Sequence, residues 1–133
     1  MTDITIGTQL PSLTLPAINR TTLALFAGAS GDHNPIHIDI DFAKKAGMDD
    51  VFAHGMLSMA YLGRFITNWQ PQSQLRKFSN KFTAITHLAD VITCSGEVVD
   101  LFEHNNEYCA KVAIQAAKQD GTKTLVGEAI VAI

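Results

Sequence analysis

The segment from Gly55 to Trp69 constrains the fold of this chain more than any other. Its spacing predicts one helix, and apolar side chains cover almost the whole circumference of that helix. A helix that is apolar on all sides is buried in a soluble protein. In a chain of 133 residues, only a sheet that curls around the helix can cover so much of it. The apolar positions are Met56, Leu57, Met59, Ala60, Tyr61, Leu62, Phe65, Ile66 and Trp69.

The second half of the chain carries the alternation of apolar and polar residues that is typical of antiparallel strands. Gly96 is a candidate β-bulge, and Asp120-Gly121 is a strong hairpin signal. Pro11 and Pro16 bracket a short apolar stretch that fits an edge strand. The other predicted strands lie near residues 78–84, 91–99, 108–115 and 125–133.

Two shorter helices are predicted before the long one. Asn19 can cap a helix that runs to about residue 29, where Gly28 and Gly31 break it. Asp39 can cap a second helix from residue 40 to 46. Helices followed by strands indicate an α+β fold. A long buried central helix wrapped by a curved antiparallel sheet is the hot-dog fold, which we expect here for residues 1–133 as one domain.

Composition excludes several classes of function. Hydrophobic residues make up 47% of the chain and charged residues 17%, and the formal net charge is −3 without a run of Lys or Arg. We therefore expect no nucleic-acid partner and no membrane partner. The first residues show no signal-peptide pattern, so a cytoplasmic protein is predicted. Cys94 and Cys109 lack a CxxC partner, and we expect them to be buried as small apolar residues.

Polar chemistry is concentrated between residues 32 and 55. His33 and His37 have a zinc-like spacing, but Pro35 between them opposes the helix that this spacing needs, so no metal is predicted. Asp32 and His37 flank a turn and could exchange protons with one water molecule. The alternative is an Asx-turn at Asp32 beside a half-buried histidine, and the residues alone favour this alternative.

His54 and Gly55 begin the long helix, where the first N–H groups lack an intrahelical acceptor. Those groups can bind a developing oxyanion, and a glycine allows close approach to the backbone. The alternative is an ordinary helix start, in which His54 is a cap or a packing residue.

Two linked motifs carry a resemblance to a known family. Asp-His-Asn-Pro-Ile-His at residues 32–37 and His-Gly-Met at residues 54–56 resemble the hydratase motif of the MaoC-like (R)-specific enoyl-CoA hydratases. The ending Gly-Glu-Ala-Ile-Val at residues 127–131 is similar to the last strand of that family. The resemblance covers essentially the whole chain and favours catalytic roles for Asp32 and His37 over the Asx-turn alternative.

The resemblance implies a hot-dog fold and reversible addition of water to a trans-2-enoyl thioester of CoA or of acyl carrier protein. It implies that Asp32 and His37 are catalytic and that the N–H of Gly55 binds the carbonyl oxygen of the thioester. Asn34 is expected to shape the turn and to support Asp32 or His37. The predicted substrate-binding residues are Gly55, Asn34 and His54. No cofactor is implied. Pairing of two hot-dog units is implied, as a homodimer or with a related subunit.

Alternatives from two other classes remain open. One is a hot-dog acyl thioesterase, and the other is a non-catalytic subunit of a dehydratase heterodimer. An apolar tunnel for the acyl chain is expected along the long helix. Tyr61, Phe65 and Trp69 either limit the length of that tunnel or belong to the ordinary core.

Overall fold

A computed structural model describes residues 3–133 of the chain. Met1 and Thr2 lie outside the described residues. The prediction that the first residues form no signal peptide falls partly on these two. The helices are α1 (Arg20–Ser30), α2 (Ile40–Lys45) and α3 (Gly55–Trp69), with 3₁₀ turns at Pro35–His37 and Gln72–Gln74. The strands are β1 (Leu13–Thr14), β2 (Leu75–Phe82), β3 (Thr93–His104), β4 (Glu107–Ala117) and β5 (Lys123–Ala132).

The five strands form one antiparallel sheet in the order β1-β3-β4-β5-β2. The sheet curls around α3, which confirms the predicted hot-dog arrangement of helix and sheet. β1, between Pro11 and Pro16, is an edge strand as predicted. β2 is the other edge and pairs only with β5 among the described residues. The predicted turn at Asp120-Gly121 joins β4 and β5, with Gly121 at a φ of 88°.

The core lies between α3 and the concave face of the sheet. Leu62, Phe65 and Ile66 are at most 1% exposed and face the strands. Burying each of these side chains contributes about 1.5–3 kcal/mol to folding. Cys94 and Cys109 are free and buried, as predicted. The sheet contributes Ile92, Cys94, Val98, Ala110, Val112, Ile114, Ala116, Leu125, Ala129 and Val131 to the same cluster.

The prediction that α3 is buried on all sides is wrong for this chain. Met56 is 53% exposed, and Ala60 is exposed one turn later. The sheet covers one side of α3, and a second cluster with Leu23 and Ala43 covers Leu57 near the start of the helix. The remaining apolar strip, which includes Met59, faces an open cleft. Within residues 3–133, no helix combines the length and hydrophobicity that a membrane crossing requires.

Both short helices begin after the capping residues that were predicted from the sequence. The Asn19 side chain accepts a hydrogen bond from the Thr22 N–H at 2.8 Å, and Asp39 accepts one from the Asp41 N–H at 2.9 Å. Gly31 ends α1 in the left-handed region, whereas Gly28 lies within the helix. The prediction that Gly28 breaks the helix is therefore wrong, because one glycine costs less than the packing of α1 gains.

Two glycines allow close packing of the sheet. A Cβ at Gly96 would lie 2.8 Å from the Ala113 carbonyl oxygen and 3.3 Å from the Phe65 ring. The bulge predicted at Gly96 lies instead near Val99, where the pairing of β3 with β4 shifts register. A Cβ at Gly127 would collide with the backbone of β2.

We expect Gly127→Ala to reduce the free energy of unfolding by about 2 kcal/mol or more, because the backbone at Ser79 and Asn80 must move away. Gly28→Ala is the matched control. A Cβ at Gly28 meets no atom within 4 Å, so this change should stabilise α1 by roughly 0.5–1 kcal/mol. Urea denaturation of both variants measures the difference. Equal stability of the two variants would contradict the close contact between β2 and β5.

Candidate active site

The loop after α1 is shaped by a chain of short-range hydrogen bonds. The Asp32 N–H donates to Ser30 Oγ at 3.1 Å, and the Asn34 N–H donates to Asp32 Oδ1 at 3.2 Å. The Asn34 side chain accepts from the Ile36 N–H at 3.1 Å and caps the 3₁₀ turn at Pro35–His37. The Asx-turn at Asp32 is thus present, and the carboxylate stays exposed at the same time. An Asx-turn at Asp32 is therefore compatible with a carboxylate that is available for proton transfer.

His37 is only 9% exposed, and one ring nitrogen is already engaged. Its Nδ1 lies 2.7 Å from the carbonyl oxygen of Phe52. A carbonyl oxygen can only accept, so Nδ1 carries the proton. In the neutral ring, Nε2 is then the free acceptor, which is the form that can take a proton from water.

Two contacts hold the segment that precedes α3. The Ala53 N–H donates to the carbonyl oxygen of Thr86 at 2.9 Å, and Phe52 forms an isolated antiparallel bridge with His87. The carbonyl of Phe52 is therefore fixed in position. Because His37 donates to that carbonyl, the orientation of its ring depends on this pairing.

Asp90 anchors the loop that carries Thr86 and His87. Its carboxylate accepts hydrogen bonds from the His87 N–H at 2.7 Å and from the Gln119 amide at 3.1 Å, and Lys118 Nζ lies 3.1 Å away. Burial raises the pKa of Asp90, but the hydrogen bonds and the nearby ammonium group outweigh burial and hold that pKa below its ordinary value. The ionised carboxylate thus ties the loop to the end of β4.

His54 is buried beneath the loop, with 1% of its surface exposed. Its Nε2 lies 3.2 Å from the carbonyl oxygen of Asp32. Its ring stacks on the ring of His37 with centroids 4.0 Å apart and planes 28° apart, and Phe26 contacts it edge-on at 4.9 Å. Burial lowers the pKa of His54, and the neighbouring His37 lowers it further, against the opposing effect of Asp32.

The structure brings Asp32, His37 and His54 together, with potential ligand atoms within 4.8 Å of one another. They are the described residues best placed to hold a cation. His33 is exposed and lies outside this group. The lone pairs of an imidazole lie in its ring plane, so two stacked rings do not aim them at one point. This geometry disfavours a metal ion held by both rings.

Asp32 lines a cleft of about 510 Å³ beside the exposed strip of α3. Of the two alternatives for Tyr61, Phe65 and Trp69, the structure supports the ordinary core. Phe65 is part of that core, and Tyr61 and Trp69 pack against it. Ala60 and Gly63, one turn apart on α3, leave room for the cleft. Its full lining is Phe26, Ser30, Asp32, Met56, Met59, Ala60, Gly63 and Phe78.

Gly55 starts α3 directly after His54, whose side chain makes no capping hydrogen bond. The N–H of Gly55 lies in the first turn and has no intrahelical acceptor. A Cβ at Gly55 would lie 2.9 Å from the ring of Phe82, so the glycine permits this contact. Gly55 itself lines a separate cleft beside Phe82, whereas Met56, the next residue, lines the cleft that contains Asp32.

A protein-family model described as "MaoC like domain" matches residues 5–120, most of the described chain. The chain belongs to the MaoC-like dehydratase family. This membership agrees with the motifs at residues 32–37 and 54–56.

The chain is similar to one protein named as a dehydratase and to another named as a hydratase. A mitochondrial 3-hydroxyacyl-[acyl-carrier-protein] dehydratase from Solanum lycopersicum is 31% identical over 98 residues, which cover 74% of this chain and 59% of that protein. An (R)-specific enoyl-CoA hydratase from Rhodospirillum rubrum is 28% identical over 118 residues, with coverage of 87% and 80%. The chain spans about three fifths of the length of the two plant dehydratases that it matches.

The fold of the MaoC-like chain matches that of a solved (R)-hydratase from A. caviae. The TM-score is 0.85 at 24% sequence identity, and the match covers 100% of this chain and 99% of the other. At this identity, the likeness establishes the hot-dog fold.

We expect acid to weaken the fold through His54. Because the pKa of His54 is lower in the folded state than the ordinary value of about 6.5, the unfolded chain binds more protons below that pH. The contribution of His54 to stability is complete above about pH 6.5 and is lost as the pH falls towards the folded-state pKa. Urea denaturation of the wild type and of His54→Gln at several pH values measures it.

The stability difference, wild type minus His54→Gln, should decrease as the pH falls. A difference that grows towards low pH would show that His54 is preferentially protonated in the fold, contrary to its burial.

Proposed function

We propose that this chain is a hydro-lyase that reversibly adds water to trans-2-enoyl thioesters and forms (R)-3-hydroxyacyl thioesters. The observation that carries the proposal is the placement of Asp32 and His37. An exposed carboxylate lies at an apolar cleft, beside an imidazole whose Nδ1 donates to the Phe52 carbonyl. The names of the tomato and Rhodospirillum relatives, a dehydratase and a hydratase, support the same reaction.

In this proposal, Asp32 and His37 hold the reacting water between them. The water oxygen forms a bond to C3 of the enoyl group while the pair takes one of the water protons. The pair returns a proton to C2, so that the sum of the steps is addition of one water molecule. The proposal assigns each proton transfer to the pair as a whole and not to one of the two groups.

The N–H of Gly55 would bind the carbonyl oxygen of the thioester. Negative charge grows on that oxygen as the enolate forms, and a fixed backbone donor at a helix start stabilises it. Asn34 would support the site indirectly, because its side chain is used to cap the turn that carries His37. No cofactor takes part in this scheme.

The acyl chain would lie in the cleft along the exposed strip of α3, against Met56, Met59 and Phe78. The carrier, CoA or acyl carrier protein, and the cytoplasm as the compartment remain predictions. We also propose a dimer, as a homodimer or with a related hot-dog subunit. The outer edge of β2 and the partly exposed Met56 are surfaces that a second hot-dog unit would cover.

Asp32→Asn and His37→Gln should each reduce hydration of crotonyl-CoA by about 10²-fold or more, the usual loss when a general acid or base is removed. Asp41→Asn and His104→Gln are matched controls, because both residues are exposed and lie outside the cleft. The loss of enoyl absorbance follows the reaction, and circular dichroism verifies the fold of each variant.

Near-wild-type hydration by folded Asp32→Asn would refute the assignment of Asp32. Release of free CoA thiol and crotonate, without formation of 3-hydroxybutyryl-CoA, would instead support the thioesterase alternative. Hydration that requires a related hot-dog subunit and is unchanged by Asp32→Asn would support the non-catalytic alternative for this chain.

A further inference from the structure

We propose that His54 is a positioning residue, which holds Asp32 and His37 in place through a neutral ring protonated on Nε2 and makes no contact with the substrate. This inference replaces the substrate-binding role expected from the motif. Its catalytic consequence rests on the proposed function, whereas the protonation of the ring can be measured separately.

The hydrogen bond to Asp32 defines the tautomer of His54. The partner of Nε2 is a backbone carbonyl oxygen, which can only accept, so Nε2 carries the proton. The other nitrogen, Nδ1, is buried and has no hydrogen-bond partner among the described residues. In an imidazolium, Nδ1 would be a buried donor without an acceptor, which is a costly arrangement. The neutral Nε2–H form is therefore favoured.

The stacked arrangement explains why the charge of His54 matters to His37. The two ring centroids are 4.0 Å apart, so a positive charge on both rings would be strongly unfavourable. The titratable groups that face His54 are Asp32 and His37, and the other aromatic neighbour is Phe26. A His54 ring that stays neutral near pH 7 leaves His37 free to gain and release a proton during each turnover.

His54 also completes the restraint on the backbone of Asp32. The Asp32 N–H is held by Ser30, and the Asp32 carbonyl is held by His54. With its backbone fixed on both sides, the carboxylate has few positions available beside the cleft. His54 itself is 1% exposed, so a substrate in the cleft would meet Asp32 and not the ring beneath it.

His54→Gln and His54→Asn are a matched pair of variants. They distinguish a hydrogen bond made at the position of Nε2 from one made at the position of Nδ1. The amide of glutamine reaches the position of Nε2 and can donate to the Asp32 carbonyl, whereas the amide of asparagine reaches only the position of Nδ1. We expect His54→Asn to lower kcat by about 30-fold or more with KM within about threefold, the usual scale for losing an orienting partner. His54→Gln should keep kcat within about fivefold of the wild type.

Equal loss of kcat in both variants would refute the Nε2 assignment. A raised KM with unchanged kcat would show direct contact with the substrate, and wild-type kinetics in both variants would show that His54 positions nothing. Each of these three results overturns the proposal.

Nitrogen-15 NMR of the histidine rings in the wild-type protein tests the tautomer and charge of His54 even if both variants unfold. We expect a neutral Nε2–H ring for His54 at about pH 7. An Nδ1–H tautomer or an imidazolium at about pH 7 would overturn the proposal. This measurement needs no substrate, so an inactive wild-type protein would refute the proposed function and leave the role of His54 to be judged by NMR.

Discussion

The structure depends on the burial of one face of α3 against the curled sheet. Leu62, Phe65 and Ile66 are almost completely covered by strand residues, so α3 cannot rotate about its axis without exposing them. This fixed rotation directs the strip with Met56 and Ala60 towards the open cleft. The geometry of the candidate site is thus a consequence of core packing.

Backbone carbonyl groups determine the tautomers of the two histidines. The Phe52 carbonyl assigns the proton of His37 to Nδ1, and the Asp32 carbonyl assigns that of His54 to Nε2. The first carbonyl is held by pairing with the loop that Asp90 anchors. Remote residues therefore support the site through backbone hydrogen bonds, without any contact to the reacting groups.

Features with local causes could be predicted from the sequence. The bounds of α3 follow from its apolar spacing, and the caps at Asn19 and Asp39 follow from side chains that bond to nearby backbone groups. The Asp32–His37 pair could be favoured only through the family resemblance. The residues alone favoured an Asx-turn, and the structure contains that turn together with the exposed carboxylate.

Features with tertiary causes were not predictable. Phe26 and Phe78 line the cleft because α1 and β2 converge on α3, and no local pattern reports that approach. His54 was expected at the substrate, yet the loop of Asp32 covers it. The continuation of α1 through Gly28 was likewise not predictable, since helix packing overrides the low helix propensity of one residue.

The central claim is that Asp32 and His37 add water across an enoyl double bond. It is tested most directly by incubating the wild-type protein in D₂O with a trans-but-2-enoyl group on CoA and, separately, on acyl carrier protein. We predict the (R)-3-hydroxybutyryl thioester with one deuterium at C2 for at least one carrier. The (S)-product, or hydrolysis of the thioester with the double bond intact, would contradict the account.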